Sequence, residues 1–305
     1  MMSGIKTINS LSGGKTSSYV AANHPADYYI FSFVRIEYNK SKFPDKKIRK
    51  EVEDRIKAPF IATAEDDMII YTMLDLEQYI GREITWVTGN TFDQVIINKK
   101  SKGNTFLPSY MRRFCTTEMK TKPIASWIYN NLKSTHIMNF GFRSNEHSRA
   151  KRMIERQNEN GNIEVKISIG KSKNGRNKWK TINYCKPNFP LIEDGVYKDQ
   201  IEKYWKDKKV RFAWMNNCVG CFHKEPALLK KMWEKHPNKL EWFASKERES
   251  INNATWSDLF TYDQIKKWNT QFQLFDDDFN ECDSGYCDEW NKKHRRRYSN
   301  QYMSR

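Results

Sequence analysis

Residues 5–17 read Ile5-Lys6-Thr7-Ile8-Asn9-Ser10-Leu11-Ser12-Gly13-Gly14-Lys15-Thr16-Ser17. A strand over residues 5–11 runs straight into a glycine pair, and a helix over residues 15–22 follows. Two adjacent glycines let the backbone bend sharply and approach an anion with no Cβ in the way. The helix aims its free N–H groups and the positive end of its dipole at the same point. Hydroxyls of Ser12, Thr16 and Ser17 and the ammonium of Lys15 complete the shell of a phosphate cradle. A plain glycine turn with solvated hydroxyls is the competing account. A Walker A loop does not fit, because it requires a glycine five positions before Gly14, where Asn9 stands inside the strand.

Outward from this junction, strands alternate with helices. Strands are expected over residues 28–34, 84–87 and 137–140, and helices over 47–57, 67–80, 93–98 and 120–131. The 28–34 run is almost continuously apolar or aromatic, as in a strand covered on both faces. The 67–80 helix stops at Gly81. Such alternation predicts an α/β fold with a doubly wound, mostly parallel sheet and a ligand at the carboxyl ends of its strands. Residues 157–162 and 171–177 are polar and turn-rich, with Asn-Gly pairs, and they bracket an alternating run over 163–169. A β-hairpin or a mobile insertion fits there, either a lid or a mere surface excursion. The expected plan is an α/β domain over 1–156, the hairpin or insertion over 157–184, a smaller Cys-containing, mainly helical region over 185–290, and a basic tail over 291–305.

The chain has 305 residues, enough for a full core, and carries no run of 18 apolar residues. Neither a membrane span nor a signal peptide is expected, and six cysteines in such a length point to a reducing cytoplasm rather than a disulfide scaffold. The net charge of +16, from 53 basic and 37 acidic residues, attracts polyanions. Nucleic acid is therefore a candidate partner, with the aromatic residues as stacking platforms. A basic, solvated surface over an aromatic core explains the same composition. Cys218-Val219-Gly220-Cys221 and Cys282-Asp283-Ser284-Gly285-Tyr286-Cys287 supply two close thiol pairs, the pattern of a four-thiolate metal centre. Zinc and a 4Fe-4S cluster both accept that set, and Cys185 and His223 are spare ligands.

Three segments carry a family resemblance. Ser12-Gly13-Gly14-Lys15-Thr16-Ser17 resembles the PP-loop of ATP pyrophosphatases and of phosphoadenosine phosphosulfate (PAPS) reductases, Ser12, Gly13, Gly14 and Ser17 matching its pattern. Thr16 stands where ATP-splitting members carry Asp, which leaves Mg²⁺ binding and ATP cleavage open. Arg112-Arg113-Phe114-Cys115 through Lys120-Thr121-Lys122-Pro123 resembles the family's Cys-containing, Lys-x-x-Pro element. Gly141-Phe142-Arg143 with the following Arg149 resembles its Gly-x-Arg element. Arginine forks suit phosphate or sulfate oxygens.

The resemblance covers about residues 5–150 and implies an adenine nucleotide alpha-hydrolase-like fold. It implies a bound adenine nucleotide (ATP, adenylylsulfate or PAPS) held by residues 12–17, Arg143 and Arg149. It also implies Cys115 and Lys15 as catalytic residues, with Cys282 as an alternative nucleophile, a 4Fe-4S cluster in some relatives, and a thioredoxin-like reductant. Sulfonucleotide reduction or sulfur transfer would follow. ATP-dependent thiolation of a nucleic acid, or a binding protein that has lost turnover, are the alternatives.

Overall fold

The computed structural model describes residues 5–97, 105–110, 112–132 and 136–268. The first strand, β1 (Lys6–Leu11), leads through the glycine pair into α1 (Lys15–Asn23), and β2 (Tyr28–Ser32) returns parallel to it. A two-residue pair, β3 (Arg35–Ile36) with β4 (Ala62–Thr63), brackets α2 (Lys46–Ile56), whose N-cap Asp45 accepts from the amides of Lys47 and Ile48. Next come α3 (Met68–Ile80), closed by Gly81 in the left-handed region, then β5 (Ile84–Val87) and the short α4 (Phe92–Ile96).

A three-residue helix, α5 (Phe114–Thr116), a π-helical turn (Thr117–Thr121) and α6 (Lys122–Asn131) run on without a break. The expected helix over 120–131 is therefore the far end of a longer one. Pro123 accounts for the wide turn: it has no N–H, and its ring excludes the carbonyl four residues back, at Met119. That carbonyl instead accepts from the Ser32 hydroxyl of β2 at 3.0 Å.

Beyond lie β6 (His136–Asn139), α7 (His147–Ile154), β7 (Ile163–Lys171) and β8 (Asn177–Asn188). The segment expected as hairpin or insertion is a hairpin, and its Asn174-Gly175 turn has Gly175 at φ +72. The far end of β8 is a full sheet member, with Lys186, Pro187 and Asn188 pairing parallel with β6. Five helices follow: α8 (Pro190–Glu193), α9 (Lys198–Trp205), α10 (Pro226–Lys235), α11 (Pro237–Arg248) and α12 (Tyr262–Lys267).

The six-stranded sheet has the order β5-β2-β1-β6-β8-β7, parallel except for β7 at one edge. It is an α/β architecture with a mostly parallel sheet flanked by helices. From β1 the chain moves outward to β2 and β5, then crosses back to β6 and β8, so the winding reverses between β1 and β6. A crevice opens at such a reversal, outside the carboxyl ends of the strands. The later helices complete the cores of the earlier elements: Leu191, Ile201 and Trp205 are buried with β2 and α3, and Trp242, Phe243 and Trp256 with Ala62, Ala64 and Phe92. Among the described residues, no helix is long and apolar enough to cross a membrane.

Candidate functional site

The loop after β1 and the loop after β6 meet at the winding reversal. Gly13 sits at φ +82, and a Cβ there would lie 2.4 Å from the Ile69 side chain, so only glycine fits. Gly14 is the N-cap of α1, with no side chain capping the first turn. The leading N–H groups of α1 thus receive no side-chain cap from the N-cap position. Ser17 braces the bend: its hydroxyl accepts from the Ser12 amide at 3.2 Å, donates to the Gly14 carbonyl at 3.1 Å, and lies 3.1 Å from the Ser12 hydroxyl. Across the crevice, a Cβ on Gly141 would come within 3.2 Å of the Ser17 amide nitrogen and Cα. Two backbones touch there.

Three features of the loop escape sequence reasoning. The Lys15 ammonium is ion-paired with Glu202 of α9, and Trp205 of the same helix donates to the Lys15 carbonyl at 3.0 Å. The Asn216 amide covers Gly14, within 2.5 Å of where its Cβ would be. Partners so far along the chain leave no local pattern. Thr16 is half-buried beside them.

Arg143 is buried, with its backbone amide donating to Glu146 at 2.8 Å. Arg149 donates to the other oxygen of Glu146 at 3.0 Å and lies 4.1 Å over the Phe142 ring. Burial lowers the Arg149 pKa and Glu146 opposes it, while Arg113 and Arg143 add repulsion. Glu146 thus engages both Arg143 and Arg149, with the Arg113 charge close enough to be felt at Arg149.

Further along the rim, Cys115 on α5 shares an electrostatic neighbourhood with Cys218 and Cys221. The knuckle is tightly built: the Cys221 amide donates to the Cys218 carbonyl at 3.0 Å, and Val219 donates to Ala64 at 2.8 Å. Gly220 lies so close to Phe243 that a Cβ would be 2.4 Å from the ring, and Tyr262 donates to the Gly220 carbonyl at 2.7 Å. Around the thiols lie charges that the sequence did not flag. Glu65, 1% exposed, accepts from Lys120 at 2.6 Å and from the Val34 amide at 3.0 Å. Lys224, 2% exposed, donates to the Cys218 carbonyl at 2.7 Å.

Burial pushes the Cys218 thiol well up, with Glu65 adding to the rise and Lys120 opposing it. Burial also raises Cys115, with Cys221 next. It lowers the Lys224 ammonium, which the two knuckle cysteines pull back. His223 is held down to about 3 by burial and by Arg113 and Lys224. Cys185 is remote from these groups, buried in the hairpin core, its thiol pushed up to about 12 by burial.

Among the described residues, no three His, Cys, Asp or Glu side chains are grouped to hold a metal ion. Cys282 and Cys287 lie outside the described residues, as does the basic tail. The half-centre at Cys218 and Cys221 does fit a thiolate-bound metal in charge. A tetrathiolate centre is anionic, and a buried Lys224 with carbonyls as hydrogen-bond partners is a counter-charge in place. No protein-family model, curated protein or solved structure matches this chain.

Proposed function

We propose that the crevice between β1 and β6 binds the anionic tail of an adenine nucleotide, and that the protein is a PAPS-reductase-like enzyme of sulfur chemistry on an adenine nucleotide alpha-hydrolase-like fold. One observation carries the reading. The Ser12-Gly13-Gly14 bend and the start of α1, which no side chain caps, stand at the winding reversal, with the Gly141 backbone against Ser17 and Arg143 two residues further along the same loop. Free backbone N–H groups at a helix start suit a phosphate or sulfate, and the arginines that follow Gly141 would supply guanidinium forks to it.

In this reading Ser12, Gly13, Gly14, Thr16 and Ser17 shape the cradle. Lys15, tied to Glu202, positions α9 against α1 and supports the loop from behind. Cys115 supplies the thiol. As a thiolate it attacks the sulfur of adenylylsulfate or PAPS, a bond forms from Sγ to sulfur, and the phosphate–sulfate S–O bond breaks. AMP or its 3′-phosphate leaves with the electron pair. A thioredoxin-like dithiol then attacks the cysteinyl sulfur of the thiosulfonate, releasing sulfite, and a second thiol of that reductant closes its disulfide and frees Cys115. Cys218 and Cys221 would hold half of a metal centre, zinc or 4Fe-4S, in the electrostatic neighbourhood of Cys115.

Calorimetric titration with ATP, adenylylsulfate and PAPS tests the site, followed by assay of sulfite release with thioredoxin. Micromolar binding of one of the three, lost in Gly13→Ala and kept in Cys115→Ser, is expected. No binding of any overturns the reading. The excess of cations beside the rim favours a second reading, ATP-dependent thiolation of a nucleic acid. Pyrophosphate release from ATP on adding RNA or DNA would select it.

A further inference from the structure

Beside the crevice, α7, the α5–α6 segment and the β7–β8 hairpin enclose an open cavity of about 840 Å³. Six cations line it, from Arg113, Lys122, Arg149, Arg152, Arg156 and Lys166, against the single carboxylate of Glu164. Lys122 is paired with Glu118 and Arg149 with Glu146. The other four make no ion pair among the described residues. Arg149 and Arg152 stand three residues apart on α7 and so share its cavity face, and Arg156 lines the cavity from the turn just past the helix. Holding four such charges together without counter-ions costs repulsion that an ordinary solvated surface avoids by spreading them.

A mononucleotide would not use this arrangement fully. From the cavity the cations continue along the hairpin, where Lys171, Lys173, Arg176, Lys178 and Lys180 are all exposed. The nine residues of β7 span roughly 30 Å at ~3.3 Å each, so the charge forms a track and not a pocket. At the mouth stands Trp179, 50% exposed, with the Lys122 ammonium 5.2 Å from its ring centroid. An exposed indole in a basic track is a platform for an unstacked base, which a duplex does not offer because its bases are already stacked.

We infer that this cavity and the hairpin form a binding track for single-stranded nucleic acid, with the cations on phosphates and Trp179 against a base. The inference does not depend on the nucleotide crevice, and its test omits nucleotide. Fluorescence anisotropy of the full chain with a fluorescein-labelled, mixed-sequence 15-nucleotide RNA, and its DNA equivalent, should show binding at 100 mM salt. Contact with about five phosphates gives a log K against log salt slope of about −3.5. The triple variant Arg152→Gln/Arg156→Gln/Lys166→Gln should bind at least tenfold more weakly and lose about 2 from the slope. Trp179→Ala should bind about fivefold or more weakly, with Trp179→Phe near wild type.

RNA or DNA as the tighter ligand tells which sugar the track accepts, and either supports it. Equal or tighter binding of the hybridised duplex would overturn it. So would displacement of the oligonucleotide by polyglutamate at equal charge concentration, or wild-type affinity in both the triple variant and Trp179→Ala.

Discussion

Gly141 shows what one missing side chain can hold. Its neighbour across the crevice is backbone, the Ser17 amide nitrogen and Cα, which cannot swing away as a side chain would. Gly141→Ala should therefore force the two walls apart by a few tenths of an ångström and weaken adenine-nucleotide binding tenfold or more, read by calorimetric titration. The fold itself should survive, since only the loop must shift. At the other end of the chain, Glu247 is buried with both carboxyl oxygens engaged: Trp256 donates to one at 3.0 Å and Tyr262 to the other at 2.7 Å. Burial pushes this carboxyl up to about 7, against those two donors. The folded form then holds its proton more tightly than the unfolded chain, whose carboxyl titrates near 4.5. Stability from this group is full below that value and falls as pH rises to about 7. Over that window the loss is on the order of 3 kcal/mol at ~1.4 kcal/mol per pH unit. In Glu247→Gln that fall should vanish, so the stability gap between wild type and variant, measured by urea unfolding at pH 5 and pH 8, should shrink as pH rises. A gap independent of pH would contradict the assignment.

Among elements, the register of β1, β6 and β8 rests on a ladder of asparagines. Asn139 donates to Asn9 at 2.8 Å and Asn188 donates to Asn139 at 2.9 Å, while Asn9 reaches the His24 carbonyl at 2.7 Å. Asn139→Ala would orphan groups on both neighbours, at roughly 1–3 kcal/mol for each buried group. A thermal midpoint lowered by several degrees is the expected outcome, with Asn139→Asp similarly lowered because it cannot donate to Asn9. This ladder explains which elements were legible. Strands such as 28–34 and 84–87 announce themselves by apolar runs, and α3 by its period and Gly81. The sheet role of β8 does not, since Lys186, Pro187 and Asn188 fall in the stretch expected as mainly helical, and only pairing with β6 makes them a strand. The π-helical turn before Pro123 was equally silent, because its compensation comes from Ser32, 87 residues earlier. At the site, the glycines and arginines stood out as motif residues. Glu65, Lys224, Glu202 and Asn216 did not, for their meaning lies in partners brought from other elements.

For the whole molecule, the decisive fact is that the α/β half does not own its core. Leu191, Val196, Ile201, Trp205 and Val210 are all buried in the cluster that also holds Phe31, Phe33, Ile70 and Met73. Burying five such side chains stabilises the fold by ~7–15 kcal/mol at about 1.5–3 kcal/mol each, comparable with the whole ~5–15 kcal/mol of a typical domain. A fragment of residues 1–156 also leaves β6 with an open edge where β8 would pair. The two losses act together on the wall that carries Gly141 and Arg143. The fragment should consequently fail to form a native sheet, giving a collapsed, poorly dispersed amide spectrum by NMR, whereas the full chain gives a dispersed one. If the fragment alone showed dispersed amides and bound the nucleotide, the helices after β8 would be an appended module, and the support that α9 gives to Lys15 would be dispensable.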